Sequence, residues 1–274
     1  MANLLKTACV QMTSGGDINA NLEKAGMLIR QAAAKGAGFI ATPENTCHIR
    51  PLSSLDIDLA MSGDDHIGIP FFSDIAKELG VTLLIGSMLV KSLDGKAYNC
   101  SFLFSNDGSL AATYDKIHLF DVELECGEKH CESKTIKAGD KAVIAQINDD
   151  FTLGMSICYD LRFAHLYRDM AKAGANILSV PAAFTLPTGR AHWEVLLRAR
   201  AIETGCYVIA PAQFGEHDGG RNTYGNSMII DPWGHILSQK DAGEGIIYAD
   251  LDVKQVNKAR AAIPALKHDR KYSL

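Results

Sequence analysis

The sequence predicts an α/β protein whose strands form a sheet covered by helices or by a second sheet. Short apolar runs alternate along the chain with segments in which apolar residues recur at helical spacing. Many of these runs are apolar at every position, which is typical of strands that are buried on both faces. The observations fit both a doubly wound sheet and a pair of packed sheets. The chain has 274 residues, 22% of them charged, which matches an ordinary globular protein.

The first half of the chain is predicted to open with a β-α-β unit and to close with a hairpin. Asn19 is a suitable N-cap for the first helix, because its side chain can accept a hydrogen bond from a backbone N–H of the first turn. Asp107 and Gly108 form a typical hairpin turn. The predicted strands are 6–11, 39–42, 81–88 and 110–115, and the predicted helices run from 19 to about 36 and from about 70 to 79.

The second half repeats this alternation, beginning with a hairpin that turns at 148–150. Its predicted strands are 152–157, 176–180, 207–210, 227–231 and 245–251, and its predicted helices are 163–173 and about 190–203. No linker or low-complexity stretch separates the two halves. We therefore expect one domain over residues 1–274, with a C-terminal tail from about residue 252.

Composition limits the kinds of partner and the cellular location that we expect for the protein. The formal net charge is −5, which argues mildly against a nucleic acid or an anionic membrane as a partner. The longest apolar run, 81–90, is far shorter than the roughly 20 residues that a membrane span needs. The N-terminus lacks the pattern of a secretory signal, and the number of cysteines, seven, is odd. We therefore expect a cytoplasmic protein with reduced thiols.

Three polar residues share one position relative to the predicted strands. Glu44, Lys116 and Cys158 each follow directly on an apolar strand. Ligands of α/β proteins bind where side chains leave the carboxyl ends of strands. Taken singly, a buried structural cysteine, a loop carboxylate and a surface lysine are the simpler interpretations. Their shared position favours a site, because a thiol, a base and a cation are the parts of nucleophilic acyl transfer.

The turn after the third of these strands suggests how the thiol is activated. Cys158 is predicted to leave its strand into a turn that precedes a helix. Backbone N–H groups at such a junction can lower the pKa of a thiol and can bind an oxyanion. Such a turn suits a nucleophilic Cys158, and a buried structural cysteine is the alternative.

Three segments resemble the carbon–nitrogen hydrolase (nitrilase) superfamily, namely PE at 43–44, YDKIHL at 114–119 and ICYDLRF at 157–163. The resemblance runs from the first strand to Gly234. It is strongest to the branch of deaminated-glutathione amidases and their bacterial relatives, through GRAHWEVLLRARAIET at 189–204, YGNS at 224–227 and DPWG at 231–234. It implies an α-β-β-α sandwich of two packed sheets flanked by helices, no cofactor, and a homodimer or a higher homo-oligomer.

The resemblance also implies an amidase mechanism. Glu44 would act as the base, Cys158 would form a thioester, and Lys116 with the backbone N–H of Tyr159 would hold the oxyanion. A second glutamate follows the lysine motif in the family, and alignment places it at Glu132, where it would orient the lysine. The implied substrate is a small carboxylate-bearing amide such as deaminated glutathione. The alternatives are an ω-amidase acting on α-keto amides and an N-carbamoyl amino acid hydrolase.

Several further residues are candidates for substrate contacts. Arg162 would bind a substrate carboxylate or pair with Asp160. Glu194 would support the catalytic glutamates or cap a backbone group, and Trp193 is expected in the core rather than in the pocket. The residues expected to line the pocket are Phe184, Thr185 and Thr188.

The loop 123–132 departs from the family pattern, because it is more polar and richer in cysteine. Cys126, His130 and Cys131 lie close together there, with His118 before them. This is not a complete set of zinc ligands, and no metal is expected. No phosphate-binding loop or dinucleotide fingerprint occurs either, so no nucleotide cofactor is expected.

Overall fold

Two six-stranded sheets pack face to face in the computed structural model, which describes residues 4–49, 66–123 and 129–273. Helices cover the outer face of each sheet. The fold is therefore the α-β-β-α sandwich that the family resemblance implied, and that prediction is confirmed.

The helices and strands follow the order expected from the sequence. The first half contains β1 (Leu5–Gln11), α1 (Ile18–Ala34), β2 (Phe39–Ala41), α2 (Gly68–Leu79), β3 (Thr82–Lys91), β4 (Ala97–Phe104), β5 (Leu110–Asp115), β6 (Asp121–Glu123) and β7 (Lys129–Cys131). The second half contains β8 (Val143–Gln146), β9 (Thr152–Met155), α3 (Ala164–Lys172), β10 (Ile177–Ser179), α4 (Leu186–Thr204), β11 (Tyr207–Ala210), β12 (Phe214–Glu216), β13 (Asn222–Tyr224), β14 (Ser227–Ile230), β15 (Ile236–Lys240), β16 (Gly245–Leu251) and α5 (Val253–Ala262).

The two sheets have the same internal plan. The first sheet has the order β16-β1-β2-β3-β4-β5, and the second has the order β15-β14-β11-β10-β9-β8. In each, three neighbouring strands are parallel and the flanking strands are antiparallel. Glu44 and Cys158 follow the parallel strands β2 and β9, at the carboxyl ends where ligands bind in α/β folds, and Lys116 follows the antiparallel outer strand β5.

Alternate side chains of strand β1 point to opposite faces of the sheet and enter two separate cores. Leu5 and Cys9 point toward the second sheet and belong to the core between the sheets. Ala8 and Val10 point the other way, into a core that α1 and α2 complete. Because β1 lies between two apolar layers, both of its faces must be apolar, as the sequence indicated.

The structure corrects some predicted element ends. Asp17, not Asn19, caps α1: the carboxylate of Asp17 accepts hydrogen bonds from the backbone N–H groups of Asn19 at 2.9 Å and of Ala20 at 3.2 Å. Both residue types cap well, and the earlier one satisfies two N–H groups of the first turn. Helix α4 begins at Leu186, with Pro187 in its first turn, earlier than predicted. The short hairpins β6–β7 and β12–β13 were not predicted.

The segment expected as a tail from about 252 begins with a packed helix. Asp252 caps α5, and Val256 of this helix is buried. The guanidinium of Arg260 donates to the carbonyl of Ala175 at 2.7 Å and to that of Thr204 at 3.1 Å. None of the helices in the described ranges is long and apolar enough to cross a membrane.

Candidate active site

Glu44 lies just beyond β2, in a backbone segment that closely approaches β3. A Cβ atom on Gly86 would lie 2.2 Å from the carbonyl oxygen of Thr42 and 2.4 Å from that of Pro43, so only glycine fits at that point of β3. The side chain of Glu44 is buried, and its Oε2 accepts a hydrogen bond from the backbone N–H of Ala183 at 2.8 Å. The first and second sheets are thus joined through the Glu44 carboxylate.

Lys116 leaves β5 and places its ammonium between two carboxylates. Its Nζ donates to Glu44 Oε1 at 3.0 Å, and to Glu132 Oε1 and Oε2 at 3.0 and 2.9 Å. The backbone N–H of Phe120 donates to Glu132 Oε2 at 2.7 Å and holds this carboxylate in place. The structure therefore brings Glu132 to the position that the alignment indicated.

Asn99 also belongs to this cluster and was not predicted from the sequence. Its Nδ2 donates to Glu44 Oε1 at 2.9 Å and lies 3.4 Å from Glu132 Oε1. Its backbone carbonyl accepts from the N–H of Lys116 at 2.9 Å. A buried amide in the mostly apolar strand β4 was the available signal, because buried polar groups need hydrogen-bond partners.

Cys158 begins a 3-10 turn, Cys158–Arg162, and two residues separate it from Met155, where β9 of the second sheet ends. Its backbone has a φ of 49°, in the left-handed region that non-glycine residues rarely adopt. Its N–H donates to the carbonyl of Pro181 at 2.9 Å, and its side chain is 8% exposed. Strained backbone of this kind occurs at functional sites, where the surrounding structure holds the residue in place.

The charges of the cluster fix the resting protonation states. Burial opposes the charge on Glu44, but the positive charges of Lys116 and Arg221 outweigh it and keep the pKa of Glu44 below its ordinary value. Burial likewise opposes the charge on Lys116, and Glu132 and Glu44 overcome this and raise the pKa of the amine. Glu44 is therefore a carboxylate and Lys116 an ammonium at neutral pH.

The thiol behaves differently from the sequence-based expectation. Burial and the neighbouring Glu44 carboxylate raise the pKa of Cys158 well above its ordinary value, and Lys116 offsets this only in part. The expectation that the turn lowers the thiol pKa is therefore wrong, because the thiol is buried and a carboxylate from the other sheet also acts on the same sulfur. The resting site pairs a neutral thiol with a carboxylate that can accept its proton.

A cavity of about 540 Å³ opens onto these residues. Glu44, Lys116, Glu132 and Cys158 all line it. The predicted substrate-contact residues that also line it are Tyr159, Arg162, Phe184, Thr185 and Thr188. The hydroxyls of Thr185 and Thr188 lie 2.8 Å apart in its wall.

Arg162 does not pair with Asp160. Its guanidinium lies over the rings of Tyr159 and Phe184, 5.6 Å from each centroid, and its Nη1 is 3.2 Å from Nδ1 of His192. Arg162 therefore keeps its position in the cavity wall through aromatic rings and a histidine rather than through an acid.

The expected role of Glu194 is wrong. Its side chain is half exposed on α4 and pairs with Arg198, one turn further along the helix, at 3.2 Å. It is not among the residues that line the cavity. The adjacent residue Trp193 is fully buried, as expected for a core residue. Its Nε1 donates to the carbonyl of Asn226 at 2.8 Å.

The cysteine-rich loop lies partly outside the described residues. Cys126 lies outside the described residues, whereas Cys131 is exposed and lines the cavity. Within 4–49, 66–123 and 129–273, no group of three or more histidine, cysteine, aspartate or glutamate side chains is arranged to hold a metal ion.

Sequence comparison places the chain among known amidases. A family model for carbon-nitrogen hydrolases matches residues 6–261. The deaminated glutathione amidase of Synechocystis sp. is 43% identical over 95% of this chain and 96% of its own length. The deaminated glutathione amidase of Homo sapiens is 37% identical over 96% of this chain and 81% of its own length.

Solved structures show the same fold. The NitFhit protein of Caenorhabditis elegans superposes with a TM-score of 0.90 at 37% identity, over 98% of this chain and 66% of that chain. Nit3 of Saccharomyces cerevisiae, a member of branch 10 of the nitrilase superfamily, superposes with a TM-score of 0.85 at 29% identity, over 97% and 96%. The chain therefore belongs to the carbon–nitrogen hydrolase family, the nitrilase superfamily, and is a hydrolase of carbon–nitrogen bonds other than peptide bonds.

Proposed function

We propose that this amidase hydrolyses deaminated glutathione to 2-oxoglutarate and cysteinylglycine. The proposal is supported by relatives that carry this activity in their names and match nearly the whole chain. The observation that carries the chemistry is the buried cluster of Glu44, Lys116 and Glu132 beside Cys158, at the wall of a cavity large enough for a tripeptide-sized acid.

In the proposed first step, Cys158 Sγ attacks the amide carbonyl carbon while Glu44 takes the thiol proton. Proton transfer accompanies the attack, because the thiol pKa is raised and little thiolate exists beforehand. The carbonyl π electrons move to the oxygen, and Lys116 and the backbone N–H of Tyr159 stabilise that oxyanion. One such donor is worth about 3 kcal/mol in measured cases.

The tetrahedral intermediate then collapses to a thioester. Glu44 returns its proton to the leaving nitrogen, the carbon–nitrogen bond breaks, and the amine departs. Glu44 next removes a proton from a water molecule, whose oxygen attacks the thioester carbon. The carbon–sulfur bond breaks, Cys158 recovers a proton, and the free acid leaves.

Glu132 is proposed to orient Lys116 rather than to transfer protons. Both carboxylate oxygens of Glu132 accept hydrogen bonds from the Lys116 ammonium at 3.0 Å or less. These bonds fix the orientation of the ammonium. Arg162, Phe184, Thr185 and Thr188 are proposed substrate contacts, with Arg162 available to a carboxylate. No cofactor takes part in this scheme.

The test of this function is the release of 2-oxoglutarate from two substrates, deaminated glutathione and α-ketoglutaramate. Both give the same keto acid, so one assay compares the two kcat/KM values. We expect a clear preference for deaminated glutathione and no turnover by Cys158→Ala. A preference for α-ketoglutaramate would assign the chain to the ω-amidases, and hydrolysis only of N-carbamoyl amino acids would contradict both.

We also propose that the protein works in the cytoplasm as a homodimer or larger homo-oligomer, without a nucleic acid or membrane partner. A net charge of −5 and six unpaired cysteines among the described residues support this environment. The oligomer is supported by exposed apolar side chains that lie together on the outer surface of α4 and the adjoining turn, namely Val195, Ile202 and Trp233.

A further inference from the structure

The guanidinium of Arg221 stands in the cavity wall with an unused donor. Arg221 follows the 3-10 turn Asp218–Gly220 and lines the cavity together with Gly219 and Gly220. Its Nη2 donates to the carbonyl of Ala183 at 2.9 Å, but its Nε is buried and has no hydrogen-bond partner among the described residues. A buried donor without a partner costs free energy, so such a group in a native site calls for a ligand.

The charge of Arg221 is likewise unpaired. No aspartate or glutamate in the part of the chain that the structure describes forms an ion pair with it. Lys116, by contrast, is engaged by Glu44 and Glu132, and Arg162 lies over two aromatic rings. Arg221 is therefore a cavity cation whose planar fork is free to take a carboxylate.

The turn that presents Arg221 is firmly anchored and leaves space beside it. The His217 ring lies 2.8 Å from the carbonyl oxygen of Ser14 and 2.6 Å from the Thr223 hydroxyl. A Cβ atom on Gly220 would have no atom within 4 Å. The His217 contacts thus anchor this turn, and the space next to Gly220 is open. A binding subsite needs both an anchored wall and room for the ligand.

One residue, Ala183, links Arg221 to the reacting groups. Ala183 accepts from Arg221 through its carbonyl and donates to Glu44 Oε2 through its N–H at 2.8 Å. The positive charge of Arg221 also acts on Glu44, whose pKa it helps to lower. An anion bound to Arg221 would therefore lie on the side of the cavity that Ala183 and Glu44 form.

We propose that Arg221 binds the carboxylate at the far end of the acyl group, which makes the site selective for monoamides of short dicarboxylic acids. This rests on the proposed function and adds the acyl specificity. Deaminated glutathione and α-ketoglutaramate share that carboxylate, so Arg221 serves both. Arg162, elsewhere in the wall, is then available to the carboxylate of a larger leaving group.

The test measures binding to the inactive Cys158→Ala protein, so it needs no turnover. Isothermal titration calorimetry gives the Kd of glutarate and 2-oxoglutarate, which carry two carboxylates, and of butyrate, which carries one. We expect Cys158→Ala to prefer glutarate over butyrate, and Arg221→Gln in that background to raise the glutarate Kd by roughly tenfold or more while the butyrate Kd changes little. Arg221→Lys restores part of the preference, because it keeps the charge but not the fork.

Arg190→Gln, on the exposed side of α4, is the matched control and leaves both Kd values unchanged. Equal glutarate Kd values with and without Arg221 would overturn the proposal. Even if Arg221→Gln failed to fold, a Cys158→Ala protein that binds glutarate no tighter than butyrate would overturn it. Arg221-dependent glutarate binding in a protein that does not hydrolyse deaminated glutathione would keep this subsite and reject the proposed substrate.

Discussion

Asp160 binds His118 at two atoms, and this contact joins the segments that carry the amine and the thiol. Asp160 Oδ1 accepts from the backbone N–H of His118 at 3.0 Å and lies 2.7 Å from its ring Nδ1. Asp160 Oδ2 accepts from the hydroxyl of Tyr114 at 2.7 Å and from the N–H of Ile157 at 2.9 Å. One fully buried carboxylate therefore fixes the end of β5 against the turn that carries Cys158.

The first prediction concerns this link. Asp160→Asn removes the charge and converts one acceptor oxygen into a donor that faces other donors. We expect kcat/KM to fall about 100-fold, the size of effect that a misplacement of about 1 Å produces. The free energy of unfolding should fall by about 2 kcal/mol. Asp149→Asn in an exposed turn is the control, and wild-type kinetics in Asp160→Asn would refute the positioning role.

The second prediction concerns the ammonium between two carboxylates. Lys116→Met leaves Glu44 and Glu132 facing each other without their shared cation. We expect loss of hydrolysis and a decrease of about 3–5 kcal/mol in the free energy of unfolding, seen as a fall in Tm of roughly 10 °C. Lys137→Met, which breaks an exposed pair with Asp94, serves as the control and should shift Tm very little.

The same variant has a defined pH dependence. In the wild type the pKa of Glu44 is lowered, so its stabilising contribution is present above the ordinary carboxyl pKa and is lost as pH falls through the lower folded value. In Lys116→Met the deficit should be largest near neutral pH and should shrink in acid, where the carboxylates gain protons. A Tm deficit that is constant between acid and neutral pH would contradict this account.

The third prediction concerns the thiol. Because the pKa of Cys158 is raised, its alkylation by iodoacetamide should be slow at neutral pH and should keep increasing with pH beyond the ordinary thiol range. Glu44→Gln removes one of the charges that raise this pKa. It should therefore speed alkylation at neutral pH while it abolishes hydrolysis. Peptide mapping separates Cys158 from the exposed Cys131. A wild-type rate that is already at its plateau at neutral pH would show a stable thiolate instead.

The fourth prediction concerns the apolar surface of α4. Val195, Ile202 and Trp233 are each at least half exposed, and Ile202 lies against Gly234, beside Trp233. Ile202→Glu should convert the proposed homodimer to a monomer in sedimentation velocity experiments, since a buried unpaired charge opposes association. Leu93→Glu, at an exposed turn on β3–β4, is the control. A wild-type monomer, or a dimer that survives Ile202→Glu, would reject this interface.

The strand ends explain why much of the site could be predicted. Glu44 and Cys158 each follow a short apolar run that forms a buried strand, whereas β5 before Lys116 is largely exposed. The family motifs then related these three residues to one another and indicated Glu132. The packing of two sheets rather than one came only from that resemblance, because strands buried on both faces look alike in either arrangement.

The remaining site residues could not be predicted because they depend on long-range packing. Arg221 lies in a turn before β13 and reaches the cavity only because β12 and β13 fold over its edge. The raised pKa of Cys158 comes first from burial between the packed elements and then from Glu44, which comes from the other sheet. Glu194 was misplaced because its position on α4 fits either face of the helix until the packing of Trp193 fixes the buried one.

The most direct test of the account is the mass of the acid-quenched enzyme during turnover of deaminated glutathione and of α-ketoglutaramate. The account predicts the same added 2-oxoglutaryl group from both substrates, located on the peptide that contains Cys158, because both form one thioester. The Cys158→Ala protein should show neither the adduct nor turnover. An enzyme that turns over with no adduct at any quench time, or that carries the acyl group on another residue, would contradict the mechanism.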